Sequence, residues 1–286
     1  MELLIRAETD LSNFQFFAYT PSIAAAIIFA VLFLLSTSLH GYQMFGTRTR
    51  FLIPFFIGGI FECIGYIGRG ICWSERPDYS TGPYVVQTIM LLVAPALFAA
   101  SVYMQLARIV LMVGGDKLLF IRRTWLTRLF VSGDILSFLM QSSGGGLMST
   151  GSSDPSTVSM GQNIILAGLI LQVIYFALFV IVGAIFHIKL RKQPTDKSND
   201  LPWQRHMFSL YGVSLLIFIR CVIRVVEYAQ GHDGYIITHE LFLYIFDAVP
   251  MLLVMGIMNV VHPSQVSAAL KGGKQVRGII RLQSIV

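Results

Sequence analysis

Seven runs of mainly apolar residues, each about as long as a bilayer crossing requires, dominate this chain and exclude most folds. They cover residues 21–41, 51–73, 84–113, 127–149, 161–187, 206–229 and 238–261. Inside lipid every backbone N–H and C=O must be satisfied within the protein, so runs of this length read as helices. The expected fold is therefore all-α, a bundle of seven transmembrane helices with short connections between antiparallel neighbours. Composition agrees: 13% of the residues are charged and the mean hydropathy is +0.70, whereas soluble domains carry about 25% charged residues. The first run is read as a retained anchor, because the residues before it lack the basic start of a signal peptide. Three cysteines, Cys63, Cys72 and Cys221, lie in or at the ends of runs without paired spacing and read as packing residues.

The basic residues alternate strictly between the two sides. Arg48 and Arg50, then Lys117, Arg122 and Arg123, then Lys189, Arg191, Lys192 and Lys197, and finally Lys271, Lys274, Arg277 and Arg281 fall on one side. Arg6 and Arg76 fall on the other. The positive-inside rule places the N-terminus outside and the C-terminus in the cytosol. This gives an extracellular tail (1–19), a membrane domain (20–262) and a basic cytosolic tail (263–286). The net charge of +6 thus reflects orientation and anionic headgroups, and no nucleic-acid partner is expected. In the tail, Val276, Ile279 and Ile280 fall opposite Lys274, Arg277 and Arg281, a pattern suited to anionic inner-leaflet lipids in an amphipathic helix and equally open to a disordered basic segment.

Polar residues inside the runs carry the functional signal, since an ionised group in hydrocarbon costs at least about 2.5–3.5 kcal/mol and needs a partner or a wet cavity. Arg220, Arg224 and Glu227 share one stripe of the sixth run, and Glu240, Tyr244, Asp247 and Met251 one stripe of the seventh. Glu62, Tyr66 and Arg69 share a stripe of the second; Gln87 lies in the third, and Asp134 and Gln141 in the fourth. These residues (Met251 apart) are the candidate lining of a polar cleft that opens to the outer half. The competing reading is a set of internal ion pairs, Arg224–Glu227, Arg220–Asp247 and Glu62–Arg69, that only fix helix packing. Five carboxylates face three arginines in this set, which leaves a carboxylate to hold a proton or a ligand amine. Pro95, Pro250 and the run Gly144-Gly145-Gly146 are candidate hinges or helix breaks, with close packing through small residues the alternative for the glycines. His40, His187, His206 and His262 fall near the cytosolic face and read as interfacial residues ahead of metal or haem ligands.

Several chemistries lack their residues. No lysine lies inside a run to form a retinal Schiff base, no G-x-x-x-x-G-K-[ST] loop offers an ATP site, and neither a zinc-protease helix nor a nucleophile elbow occurs. No catalytic residue, metal site or cofactor is expected.

Taken together, Glu62-x-x-Gly65-Tyr66-x-x-Arg69, Gly82-Pro83-Tyr84-x-x-Gln87, Ala94-Pro95-Ala96, Gly133-Asp134-x-x-Ser137, Gln141-x-x-Gly144-Gly145-Gly146, Arg220-x-x-x-Arg224-x-x-Glu227-Tyr228, His239-Glu240, Tyr244-x-x-Asp247 and His262-Pro263 make up a specific pattern. It resembles the fungal lipid-translocating exporters, the RTA-like proteins, over about residues 19–263. The resemblance departs at Ala26, where an asparagine is usual, so one polar contribution to the cleft is missing. It implies a plasma-membrane protein that moves amphiphilic lipids such as sphingoid bases or sterol-like amines, with toxin resistance and, in one branch, porphyrin movement as related roles. The alternatives are a seven-helix receptor for a lipid-like ligand and, further off, a zinc-dependent intramembrane lipid hydrolase.

Overall fold

A computed structural model describes residues 21–75, 80–150, 154–230 and 234–270. The proposed amphipathic tail segment, residues 274–281, lies outside them. The described chain is helical: α1 (Ile23–Gly46), α2 (Ile53–Ser74), α3 (Thr81–Val113), α4 (Arg123–Thr150), α5 (Pro155–Lys192), α6 (Trp203–Ala229) and a composite last helix, α7, over Glu240–Leu270. No strand occurs among the described residues. The protein is an integral membrane protein, because six of these helices are long and apolar enough to cross a bilayer. The helix outside that set is α4. Its 28 residues would span about 42 Å, but Ser132, Asp134, Ser137, Gln141, Ser142, Ser143 and four glycines dilute its apolar character. α3 and α5, at 33 and 38 residues, exceed the about 30 Å hydrocarbon thickness and must tilt or protrude.

The helix ends follow local chemistry. Ser22 caps α1 and accepts from the Ala25 N–H. Asp154 caps α5, accepting from the Ser156 N–H and from the Ser156 and Thr157 hydroxyls, with Pro155 in the first turn where its missing N–H costs nothing. These donors hold the Asp154 carboxyl below its usual range, the Ser156 hydroxyl first. A carboxylate depressed in the folded state stabilises above its unfolded value and loses that contribution as pH falls through the folded one. The protection of the Ser156 amide, its exchange relative to the intrinsic rate at each pH, is therefore expected to fall on acidification and to be low at all pH values in Asp154→Ala.

Sequential helices pack as neighbours, α7 closes against α1 and α6, and α3 also touches α6 across the bundle. Of the two readings of Gly144-Gly145-Gly146, a helix break and close packing, the break does not form: α4 runs unbroken to Thr150. A Cβ at Gly144 would stand 2.5 Å from the Gly161 carbonyl oxygen of α5, whereas Gly145 and Gly146 face open space. Here the small residue serves close helix approach. Gly144→Ala is expected to cost about 1–3 kcal/mol, read as a lowered unfolding midpoint in detergent, with Gly145→Ala close to neutral.

Pro95 also leaves α3 continuous. Lacking an N–H, it frees the carbonyl of Leu91 one turn earlier, and that carbonyl accepts from Arg220 Nη2 at 3.0 Å. Pro250 follows a π-helical segment, Tyr244–Ala248, set between the turn Glu240–Leu243 and the α-helix Val249–Val260. The backbone break in this region falls at His239, between the short helix Tyr235–Thr238 and α7.

All four histidines read as interfacial are buried within the bundle. His40 and His206 are fully buried and His262 is 6% exposed, all inside the bundle. His187 lies 8% exposed against Trp203 and stacks on Tyr211. Among the described residues no group of three or more His, Cys, Asp or Glu is placed to hold a metal.

Candidate functional site

One stripe of α2 orders the polar interior: Phe55, Gly59, Glu62, Tyr66 and Arg69, spaced three to four residues apart. α1 runs antiparallel to it and α7 parallel to α1, so that Gly59 lies against Thr37 and Met255 and Tyr66 against Phe29, Phe33 and Tyr244.

At one end Arg69, 1% exposed, binds Glu240 of α7 at 2.8 Å and donates to the Tyr244 hydroxyl at 3.1 Å. Tyr244 donates to the same carboxylate at 3.2 Å, and the Ser22 backbone N–H reaches both carboxylate oxygens at 2.8 and 3.0 Å. Glu240 thus ties the start of α1, the end of α2 and the start of α7 into one knot. The expected Glu62–Arg69 pair is not formed, because α7 brings Glu240 alongside the last turn of α2 while Glu62 sits two turns deeper. Between these levels Tyr66 lies in an aromatic stack with Phe29, Phe33 and Tyr244, its hydroxyl buried without a partner.

Deeper in the bundle, Arg220 of α6 pairs with Asp247 in the π-helical segment, in addition to the Leu91 carbonyl. Glu62, 2% exposed, lies within electrostatic reach of both members of that pair. Arg224 pairs with Glu227 at 2.9 Å and stands over the Tyr228 ring. Two of the three ion pairs foreseen from the spacing are therefore present. With Arg69 on Glu240, Arg220 on Asp247 and Arg224 on Glu227, all three arginines are matched. Two of the five carboxylates, Glu62 and Asp134, form no salt bridge among the described residues.

Between α6 and the start of α7 lies a cavity of about 30 Å³, room for one or two waters. Its walls bring together Arg220, Arg224, Glu227 and Asp247 from the predicted set and add His239, Phe242 and Phe246. His239 was part of the sequence pattern but not of the candidate lining, and Phe242 and Phe246 escaped the sequence reading, although they stack on each other at the i, i+4 spacing that a helix makes visible. The remaining candidates lie elsewhere. Glu240, Arg69 and Tyr244 form the knot, and Gln87 is buried against Gly68 with its Oε1 unpartnered. Asp134 is buried beside Tyr103 without reaching hydrogen-bond geometry. Gln141 donates to Ser137 at 2.9 Å and to Gln172 at 3.2 Å, while Ser137 donates to the Gly168 carbonyl. Those contacts tie α4 to α5, so the structure does not bring Asp134 or Gln141 to the cavity.

The sequence pattern described as RTA1 like protein matches residues 55–269, three quarters of the chain and every helix of the site except α1. The chain belongs to the RTA1-like family. It is similar to protoporphyrin uptake protein 1 of Saccharomyces cerevisiae, 38% identical with 86% of this chain and 91% of that protein covered. It is 36% identical to protein RTA1 of the same yeast, covering 88% of this chain and 86% of the relative. The sphingoid long-chain base transporter RSB1 is 28% identical, with 88% of this chain and 74% of the relative covered. No solved structure matches the chain.

Proposed function

We propose that this RTA1-like protein is a seven-span plasma-membrane carrier, N-terminus outside, that moves long-chain amines such as sphingoid bases and is not an enzyme. The observation that carries the reading is Glu62, a buried carboxylate without an ion pair of its own beside Arg220–Asp247. A protonated amine on the ligand supplies the missing cation, while its alkyl chain stays in lipid between α6 and α7. The cavity holds only water-sized guests and Glu62 is not in its walls but beside Arg220 and Asp247, which are, so a headgroup reaches Glu62 only if α6 and α7 part. The backbone break at His239 and the π-helical turn before Pro250 are the places where α7 can yield. Membrane lipids and amphiphiles are then the partners, with α4 as the remaining span and the basic tail resting on inner-leaflet lipids.

A second reading is favoured by one detail. Arg224 Nε is buried without an acceptor at the cavity that Phe242 and Phe246 also line, which suits a flat carboxylate-bearing ring such as a porphyrin. Binding to the purified protein separates the two. Sphinganine is expected to bind, and its N-acylated counterpart, which keeps the chain but loses the cation, is expected to bind at least about tenfold more weakly, the loss of a charged hydrogen bond being worth about 1.5–3 kcal/mol. Equal binding of both, with protoporphyrin displacing neither amine nor amide, would remove the amine–carboxylate assignment. Tight protoporphyrin binding lost in Arg224→Gln would favour the second reading.

A further inference from the structure

The end of the bundle opposite Glu240 holds a second polar cluster that the site above does not use. His40 of α1 and His262 of α7 lie with ring centroids 5.0 Å apart, both buried. Their hydrogen bonds fix their tautomers. Asn259 donates its Nδ2 to the Ser36 carbonyl at 3.2 Å, so its Oδ1 is an acceptor and His40 Nδ1, 3.0 Å away, carries a proton. His262 Nδ1 accepts from the Ser264 N–H at 3.3 Å, so its proton is on Nε2. One ring therefore offers a lone pair at Nε2 and the other an N–H at Nε2, and both atoms are buried without partners.

Among the described residues no other titratable group is an electrostatic neighbour of the pair. The electrostatic neighbours of the pair are one another and Asn259. α2 presents the Phe55 ring at 4.6 Å, α1 adds Gln43 bound to the Asn259 carbonyl, and α3 places Arg108 over the Phe51 ring. α6, across α7, presents His206, whose charged neighbour is Arg205. Metal binding through both Nε2 atoms is disfavoured, because His262 Nε2 has no free lone pair in this tautomer.

We propose that His40 and His262 form a proton-binding site that loads and unloads Glu62, making the carrier proton-coupled. The inference rests on the carrier reading given above. His40 Nε2 accepts one proton to become an imidazolium and releases it from the same atom, and Glu62 takes it up as a neutral acid. Phe55, level with His40, precedes Glu62 by seven residues, about 10 Å along α2. Thr37 Oγ1, buried without a hydrogen-bond partner one turn from His40, lies against Gly59 and beside Cys63 in that interval. Protonation of Glu62 removes the charge that holds a ligand amine, so a proton and an amine exclude each other at one carboxylate. The Lys and Arg count assigns this end of the bundle to the cytosol.

The test uses the full chain in phosphatidylcholine vesicles with trapped pyranine, an imposed pH gradient and sphinganine as probe. It compares the wild type with His40→Asn and His262→Asn. Asparagine keeps the polar atom at the Nδ1 position, donor or acceptor as needed, and deletes Nε2. Sphinganine binding in detergent reports that each variant is folded. The expected result is gradient-driven sphinganine movement with accompanying proton flux in the wild type, and loss of the gradient-driven part in both variants with binding retained. Sphinganine movement indifferent to the gradient, or variants that keep the full response, would overturn the proton site and leave the carrier standing. Proton flux without sphinganine movement, lost in the Asn variants, would support the site and remove the carrier reading, and absence of both would remove both.

Discussion

Replacing Arg220 with methionine is expected to cost about 3–5 kcal/mol, the range found when one member of a buried ion pair is removed. The substitution strands Asp247, which is 8% exposed, and also the Leu91 carbonyl that Pro95 leaves without its helical donor. Two helices, α3 and α7, lose their link to α6 in a single change. Thermal unfolding in detergent reads the loss, and partial rescue is expected in Arg220→Met/Asp247→Leu, because removing both charges leaves only the carbonyl unsatisfied. If the single and double variants unfold together, the pair is not what positions α6 against α7.

The second large effect is expected at Glu240. Glu240→Ala removes the carboxylate that buried Arg69 binds at 2.8 Å and takes both acceptors from the Ser22 N–H. A cost of about 3–5 kcal/mol is again expected, together with fraying of the first turn of α1, read as faster amide exchange at Ser22 and Ala25. Glu240→Gln keeps an acceptor for one donor and should lie between alanine and wild type. The contrast with Glu62→Gln is the useful one. Glu62 forms no salt bridge among the described residues, so its substitution should leave stability within about 1 kcal/mol of wild type while altering ligand handling. Equal destabilisation by Glu62→Gln and Glu240→Gln would contradict the separation drawn between a structural knot and a ligand carboxylate.

The helices were legible because a bilayer demands about 20 apolar residues in register, and the runs beginning near Phe51 and His206 end close to the helices found. Stripes within a helix were legible for the same reason, since 3.6 residues per turn fixes which side chains share a face. Hence Arg224–Glu227 could be foreseen within one helix, and Arg220–Asp247 could be guessed as matching stripes. What lies between helices was not legible. The choice of Glu240 over Glu62 as partner of Arg69 depends on how far α7 slides along α2, which no spacing within either run encodes. The π-helical turn at Tyr244–Ala248 shifts the register of α7 just where Asp247 meets Arg220, and an α-helical stripe drawn through Glu240, Tyr244 and Asp247 misses that shift. Gly144 was ambiguous because a glycine has the same one-letter signature in a break and in a tight helix crossing. The burial of His40 and His262 was not legible, because a histidine near a run's end looks solvent-facing unless a partner such as Asn259 is known to reach it.

The central claim is that Glu62, beside Arg220–Asp247, is the carboxylate that passes a long-chain amine across the bilayer. Its most direct test is the rate at which sphinganine crosses proteoliposomes holding wild-type protein or Glu62→Gln, measured by extraction from the outer leaflet with albumin. The prediction is protein-dependent movement in the wild type that falls to the rate of protein-free vesicles in Glu62→Gln, with the unfolding midpoint unchanged. Movement at the wild-type rate through a correctly folded Glu62→Gln protein would contradict the claim.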